Sequence, residues 1–190
     1  MTEKLVIVVF GLPGAGKTTL INNFIQQHKN FIRLSGGSLI NEELSEAERD
    51  TLRKQEKSQV LNNQEKLVVN FARRRRELLD MSILFDGHCV VKDGDNIVMI
   101  PTEIIGGLNP DLIVFIDEDA ETIISRRRID TQRPSREDET AQAIQANRDM
   151  QVKICQEYSR MLNVPFVLLR NATVSALSDQ ILEKFPDIKL

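Results

Sequence analysis

"VIVVFGLPGAGKTTLINNF", residues 6–24, is the stretch that decides the fold of this chain. An apolar run from Val6 to Phe10 enters a segment with three glycines and a proline. That segment then passes through Lys17, Thr18 and Thr19 into a helix-like sequence. Gly11-Leu12-Pro13-Gly14-Ala15-Gly16-Lys17-Thr18 satisfies G-x-x-x-x-G-K-[ST] in full, in the strand-to-helix setting that gives the pattern its meaning. Glycines let successive backbone N–H groups turn inward as an anion cradle, and the helix start adds the positive end of its dipole. In such a loop the lysine reaches the β- and γ-phosphates and the Ser/Thr hydroxyl sits on Mg²⁺. Gly11, Gly14, Ala15, Gly16, Lys17, Thr18 and Thr19 are therefore expected to hold a nucleoside triphosphate with Mg²⁺.

Outward from this stretch, strand-like runs recur at wide spacing: 4–10, 31–34, 82–85, 111–116 and 165–169. The first, third and fourth are nearly continuously apolar, the signature of parallel strands covered on both faces. Helix-like segments alternate with them at 18–27, 42–79, 120–128, 137–162 and 175–185. This alternation predicts a doubly wound α/β fold with a parallel sheet. Residues 42–79 are longer than a crossover requires and predict a helical flap over one sheet edge. Asp93-Gly94-Asp95-Asn96, between apolar runs, predicts a hairpin. "RRRIDTQRPSREDE", residues 126–139, is broken by Pro134 and reads as an arginine-rich loop.

Composition narrows the classes. The 190 residues predict one domain with a sizeable core. A net charge of −3 gives no global attraction to nucleic acid or an anionic membrane, so neither is expected as a partner. Cys89 and Cys155, the two cysteines, form no disulfide framework or zinc pattern. The N-terminal apolar run is too short to span a bilayer and has no signal-peptide pattern, so a cytoplasmic protein is expected.

Two carboxylates compete for the metal-ordering role. Asp86 closes "SILFD"; Asp117 closes "IVFID" and is followed by Glu118, which would serve as the water-activating base of an ATPase. Asp119 reads as a helix cap. No Asn/Thr-Lys-x-Asp guanine-reading motif is present. Arg126, Arg127, Arg128, Arg133 and Arg136 fall close together, with Arg148 on the next helix. Arginine forks suit the charge that spreads over a transferring phosphoryl group, and a closing loop would exclude water. Arg73–Arg76 read as a solvated face pairing with Glu65 and Glu77.

"VVFGLPGAGKTT", "DGHCVVKDGDN" at 86–96, "LNPDLIVFIDED" at 108–119, "RRRIDTQRPSREDET" at 126–140 and Asn147-Arg148 occur together in order and spacing. On these motifs the chain resembles the archaeal-type adenylate kinases among the P-loop nucleoside monophosphate kinases, over nearly its whole length. The resemblance implies a three-layer α/β/α sandwich whose five-stranded parallel sheet has the order 2-3-1-4-5. It implies one kinase domain, 1–190, with an acceptor-binding helical flap at 35–79 and a lid loop at 128–137. It implies an ATP- and Mg²⁺-dependent phosphotransferase converting MgATP and AMP to two ADP.

For the site, the resemblance favours Asp86 with Thr18 as the metal pair. Ser35, Gly36, Asp86 and His88 would contact the acceptor, while Asn41 stands near the place of the flap's usual arginine. Arg127 and Arg133 would clamp donor phosphates, Arg136 would assist, and Arg148 would reach between donor and acceptor. Asn171 and Ala172 would pack the adenine; a plain helix entry capped by Thr173 is the alternative. A homo-oligomer, a trimer, is implied as well. Two other functions remain open at this point. One is a kinase acting on another nucleotide, a nucleoside or a small metabolite; the other is an ATP-binding regulatory ATPase using Asp117 and Glu118.

Overall fold

The computed structural model describes residues 4–41, 57–93, 96–129, 139–170 and 172–190. Strand β1 (Val6–Gly11) is buried along its whole length and runs parallel between two neighbours. These are β3 (Ser82–Asp86) and β6 (Leu112–Asp117), followed outward by β2 (Phe31–Ser35) and β7 (Phe166–Arg170). The short strands β4 (Val90–Asp93) and β5 (Asn96–Met99) form the expected antiparallel hairpin, with Asp93 paired to Asn96. Counted within the main sheet, the order is 2-3-1-4-5, as expected.

Period-2 alternation divides the core between the sheet's faces. Leu5, Ile7 and Val9 face one side, where they join Leu20, Ile21 and Phe24 of helix α1 (Lys17–Gln27). Leu177 and Ile181 of α7 (Val174–Lys184) complete that layer. Val6, Val8 and Phe10 face the other side. There they meet Leu67 and Phe71 of α3 (Lys57–Glu77) and Val152, Cys155 and Tyr158 of α6 (Ala141–Leu162). Both faces are covered, which is why β1, β3 and β6 read as nearly continuous apolar runs.

Between β2 and β3, α2 (Gly36–Asn41) packs on α3, and buried Asn70 donates from Nδ2 to the Leu39 carbonyl at 2.9 Å. Residues 42–56 of the long polar stretch lie outside the described residues. After the hairpin, α4 (Thr102–Gly106) leads into β6. The Tyr158 hydroxyl donates to the carbonyls of Ile100 (2.5 Å) and Cys89 (3.3 Å), fastening both ends of the hairpin to α6. Thr140 caps α6 by accepting from the Ala143 amide, and Thr173 caps α7 by accepting from the Ala176 amide.

The helix-like reading of 120–128 holds, and the overlapping loop reading of 126–139 needs a correction at its start. Arg126, Arg127 and Arg128 are the last turn of helix α5 (Ala120–Ile129), so the helix runs into the proposed lid segment. Arginine is a good helix former, and cations suit the negative end of the helix dipole. Pro134, taken as the breaker, lies outside the described residues, as do Arg133 and Arg136.

Candidate phosphate-binding site

The glycine loop sits at the carboxyl end of β1, where its glycines meet two kinds of neighbour. At Gly11, with φ near +149°, a Cβ would stand 2.9 Å from the Ile116 carbonyl oxygen of adjacent β6. At Gly14, with φ near +92°, a Cβ would stand 3.3 Å from Cγ of Arg127. The loop therefore lies close against β6 and α5. Lys17 is buried, and its ammonium donates to the Gly11 carbonyl at 2.8 Å and the Leu12 carbonyl at 3.4 Å. The lysine is thus folded back along the loop whose anion it is expected to meet. Thr18 and Thr19, one and two residues on, are exposed.

On the β3 side, register places Asp86 opposite both Val9 of β1 and Ser35 of β2. Two donors converge on Asp86 Oδ2: the Thr18 hydroxyl at 2.9 Å and Arg33 Nη2 at 2.8 Å. A hydroxyl has one proton and two lone pairs, so donation to Asp86 leaves the Thr18 oxygen able to accept a cation. One hydroxyl and one carboxylate form a hard-oxygen pair of the sort Mg²⁺ uses when water and phosphate supply its remaining ligands. The donor set fits that ion. Among the described residues, no group of three or more His, Cys, Asp or Glu side chains is arranged as an all-protein metal cage.

On the β6 side stand three arginines, all engaged. Arg126 donates from Nη1 to the Gly14 carbonyl at 3.3 Å and pairs with Glu118 at 2.9 Å. Arg127 donates from Nε to the Pro13 carbonyl at 3.0 Å and from Nη1 to Glu139 at 2.6 Å. Arg148 makes a two-pronged contact with Asp117, at 2.7 and 2.5 Å, and also pairs with Asp149 at 2.6 Å. Arg170 adds a third donor to Asp117 at 3.2 Å. The hydrogen bonds from Arg148, joined by Arg170, hold the Asp117 carboxyl below the usual carboxylate range, and the bonds to Asp117 and then Asp149 push Arg148 upward. Asp119 accepts from the Thr122 amide and hydroxyl, the expected helix cap.

The candidate acceptor residues are brought together less completely. Ser35 closes β2 beside Asp86, and its hydroxyl lies 2.7 Å from that of Ser38. A Cβ on Gly36 would stand 3.1 Å from Leu67, so this glycine permits close packing of α2 on α3. His88 is exposed. Ala172 packs against the core before the Thr173 cap, while Asn171 lies outside the described residues. The Asn41 side chain is also outside them. Arg33 was missed because it belongs to no motif, and Glu139, although inside the arginine-rich stretch, was given no role; only the tertiary fold gives each a partner in the site.

The family model described as the AAA domain matches residues 10–145, which span the loop, Asp86, Asp117 and the first turns of α6. The chain belongs to the AAA domain family. This AAA-domain chain is 28% identical to the adenylate kinase of Pyrococcus abyssi over 95% of its length and 93% of the relative's. It is 29% identical to the adenylate kinase of Pyrococcus furiosus, covering 94% and 92%. For the adenylate kinase of Methanothermobacter thermautotrophicus the identity is 27%, covering 87% and 90%. Within the AAA-domain family the chain stands with the archaeal-type adenylate kinases, and it is a phosphotransferase. Among solved structures, shikimate kinase from Acinetobacter baumannii in complex with shikimate superposes with TM-score 0.61 at 16% identity, covering 99% and 97%. Shikimate kinase from Bacteroides thetaiotaomicron gives 0.54 at 16% identity, covering 94% and 97%. These two share the fold.

Proposed function

We propose that the chain is an ATP-dependent nucleoside monophosphate kinase whose acceptor is AMP, so that MgATP and AMP yield two ADP. The observation that carries this reading is the glycine loop at the end of β1, with Lys17 on its carbonyls and a different set of groups on each flank. Thr18 and Asp86 lie on one side, and Arg126, Arg127 and Arg148 on the other. Lys17 would follow the β- and γ-phosphates. Bound at Thr18 and Asp86, Mg²⁺ would supply charge neutralisation to the donor phosphates. An oxygen of the acceptor phosphate attacks the γ-phosphorus, the bond to the β–γ bridging oxygen breaks, and ADP departs. Arg127 and Arg148 would exchange their carboxylate partners for phosphoryl oxygens as charge spreads over the transferring group. Arg133 and Arg136 are assigned the same work within a lid at 128–137.

Ser35, Gly36 and His88 would border the acceptor under a flap comprising residues 35–79, and Asn171 with Ala172 would border the adenine. Hydrolysis through Glu118 is disfavoured by its pairing with Arg126, which occupies the carboxylate a water would need. Among the described residues, no helix is long and apolar enough to cross a membrane. A cytoplasmic homo-oligomer, a trimer, completes the proposal.

The test is ATP consumption with Mg²⁺ alone, then with a panel of nucleoside monophosphates, nucleosides and shikimate. The reading expects turnover that depends on AMP. Turnover that is independent of any acceptor and abolished by Glu118→Gln would establish the ATPase instead.

A further inference from the structure

Asp86 carries one interaction that the proposed reaction does not use. Its Oδ2 accepts from Thr18 and, at 2.8 Å, from Arg33, a residue of β2 three residues before Gly36. Asp86 is buried, while the Arg33 side chain keeps 30% of its exposure. The pair is also set by the backbone: Arg33 lies opposite Leu84 and Ser35 opposite Asp86, so the arginine reaches one step along the sheet to the carboxylate. Arg33 Nε is buried without a hydrogen-bond partner, a cost the ion pair must offset. A guanidinium on the carboxylate of a cation site changes what that site offers. Alone, Asp86 would present a full negative charge beside the Thr18 oxygen. With Arg33 attached, the pair is neutral at a distance, and a second cation meets a like charge nearby.

We propose that Arg33 is a positioning residue that acts through Asp86 as a built-in cation, holding its oxygen beside Thr18 and weakening the site's affinity for a divalent ion. This inference rests on the assignment of Thr18 and Asp86 to Mg²⁺. The site is thereby tuned to release its ion with the product nucleotide rather than retain it. It also keeps a fixed positive charge near the donor phosphates when no metal is present.

The test is Mn²⁺ binding to the full chain with saturating β,γ-imido-ATP, a non-transferring ATP analogue, and no acceptor, read from the free-ion signal by electron paramagnetic resonance against the analogue without protein. Arg33→Gln and Arg33→Met should each tighten Mn²⁺ about tenfold, the size of a screened like-charge repulsion at short range. Arg33→Lys, which keeps the charge, should remain within about twofold of wild type, whereas a purely structural role would make it behave like the neutral variants.

Unchanged or weaker Mn²⁺ binding in both neutral variants overturns the inference. So does equal tightening by Arg33→Lys. These failures are distinct from failure of the site assignment itself: a wild-type chain that binds the ATP analogue yet shows no Mn²⁺ uptake overturns both.

Discussion

Replacing Arg148 by methionine tests the strongest ionic contact of the site. The substitution keeps most of the apolar stem and deletes the two charge-assisted bonds to Asp117, at 2.7 and 2.5 Å. The two side chains retain 19% and 11% of their exposure, so water can reach the orphaned carboxylate in part. Charge-assisted bonds contribute about 1.5–3 kcal/mol each when shielded. Residual solvation and the remaining contact from Arg170 reduce the net loss to about 2 kcal/mol at neutral pH. For a chain of this size that corresponds to a fall in Tm of about 4–8 °C.

The effect carries a pH signature. Arg148 first, and Arg170 after it, depress the Asp117 carboxyl in the folded protein. A depressed carboxylate contributes stability that is present above its unfolded value of about 3.9 and lost as pH falls through the folded value. Urea unfolding of wild type and Arg148→Met at pH 7 should therefore differ by about 2 kcal/mol, with the gap closing as pH is lowered below about 4. Arg170→Met, whose side chain is 73% exposed, should cost less than about 0.5 kcal/mol. An Arg148→Met variant as stable as wild type at pH 7, or a gap that persists unchanged at pH 3, would refute the reasoning.

Two further outcomes follow from the loop. Lys17→Met should lower turnover about 10²–10³-fold while weakening nucleotide binding far less, because its charge matters most where charge develops; single-turnover and equilibrium binding measurements separate the two effects. Gly11→Ala places a Cβ 2.9 Å from the Ile116 carbonyl at a φ of +149°, and should destabilise the chain by about 1–3 kcal/mol in urea unfolding.

Much of this architecture is legible in the sequence because local physics and tertiary placement agree. Val6–Phe10, Ser82–Phe85 and Leu112–Ile116 read as nearly continuous apolar runs since helices cover both faces of their sheet. Asp119 and Thr173 read as caps because their short oxygen-bearing side chains stand where a helix leaves its first amides unpaired. The site is legible where its residues are contiguous, from Gly11 to Thr19.

It is illegible where contacts are made by sheet register. Arg33 and Asp86 are 53 residues apart, and nothing around Arg33 distinguishes it from a solvated strand residue until β2 is laid beside β3. The choice between Asp86 and Asp117 has the same origin. Both close apolar strands, yet Asp86 meets Thr18 while Asp117 meets Arg148 across 31 residues. The arginines at 126–128 fall in both the helix-like run 120–128 and the arginine-rich stretch that Pro134 breaks, and the sequence does not decide between them. Their carbonyl and carboxylate partners at Gly14, Pro13 and Glu118 give a helical turn something to hold.

The most direct test follows the phosphorus itself. ATP labelled at its γ-phosphate is incubated with the protein, Mg²⁺ and unlabelled AMP, and the products are separated by chromatography. A nucleoside monophosphate kinase must deliver the label to the β-position of ADP formed from AMP, with inorganic phosphate near background. Label recovered as inorganic phosphate, at a rate indifferent to AMP, would contradict the account.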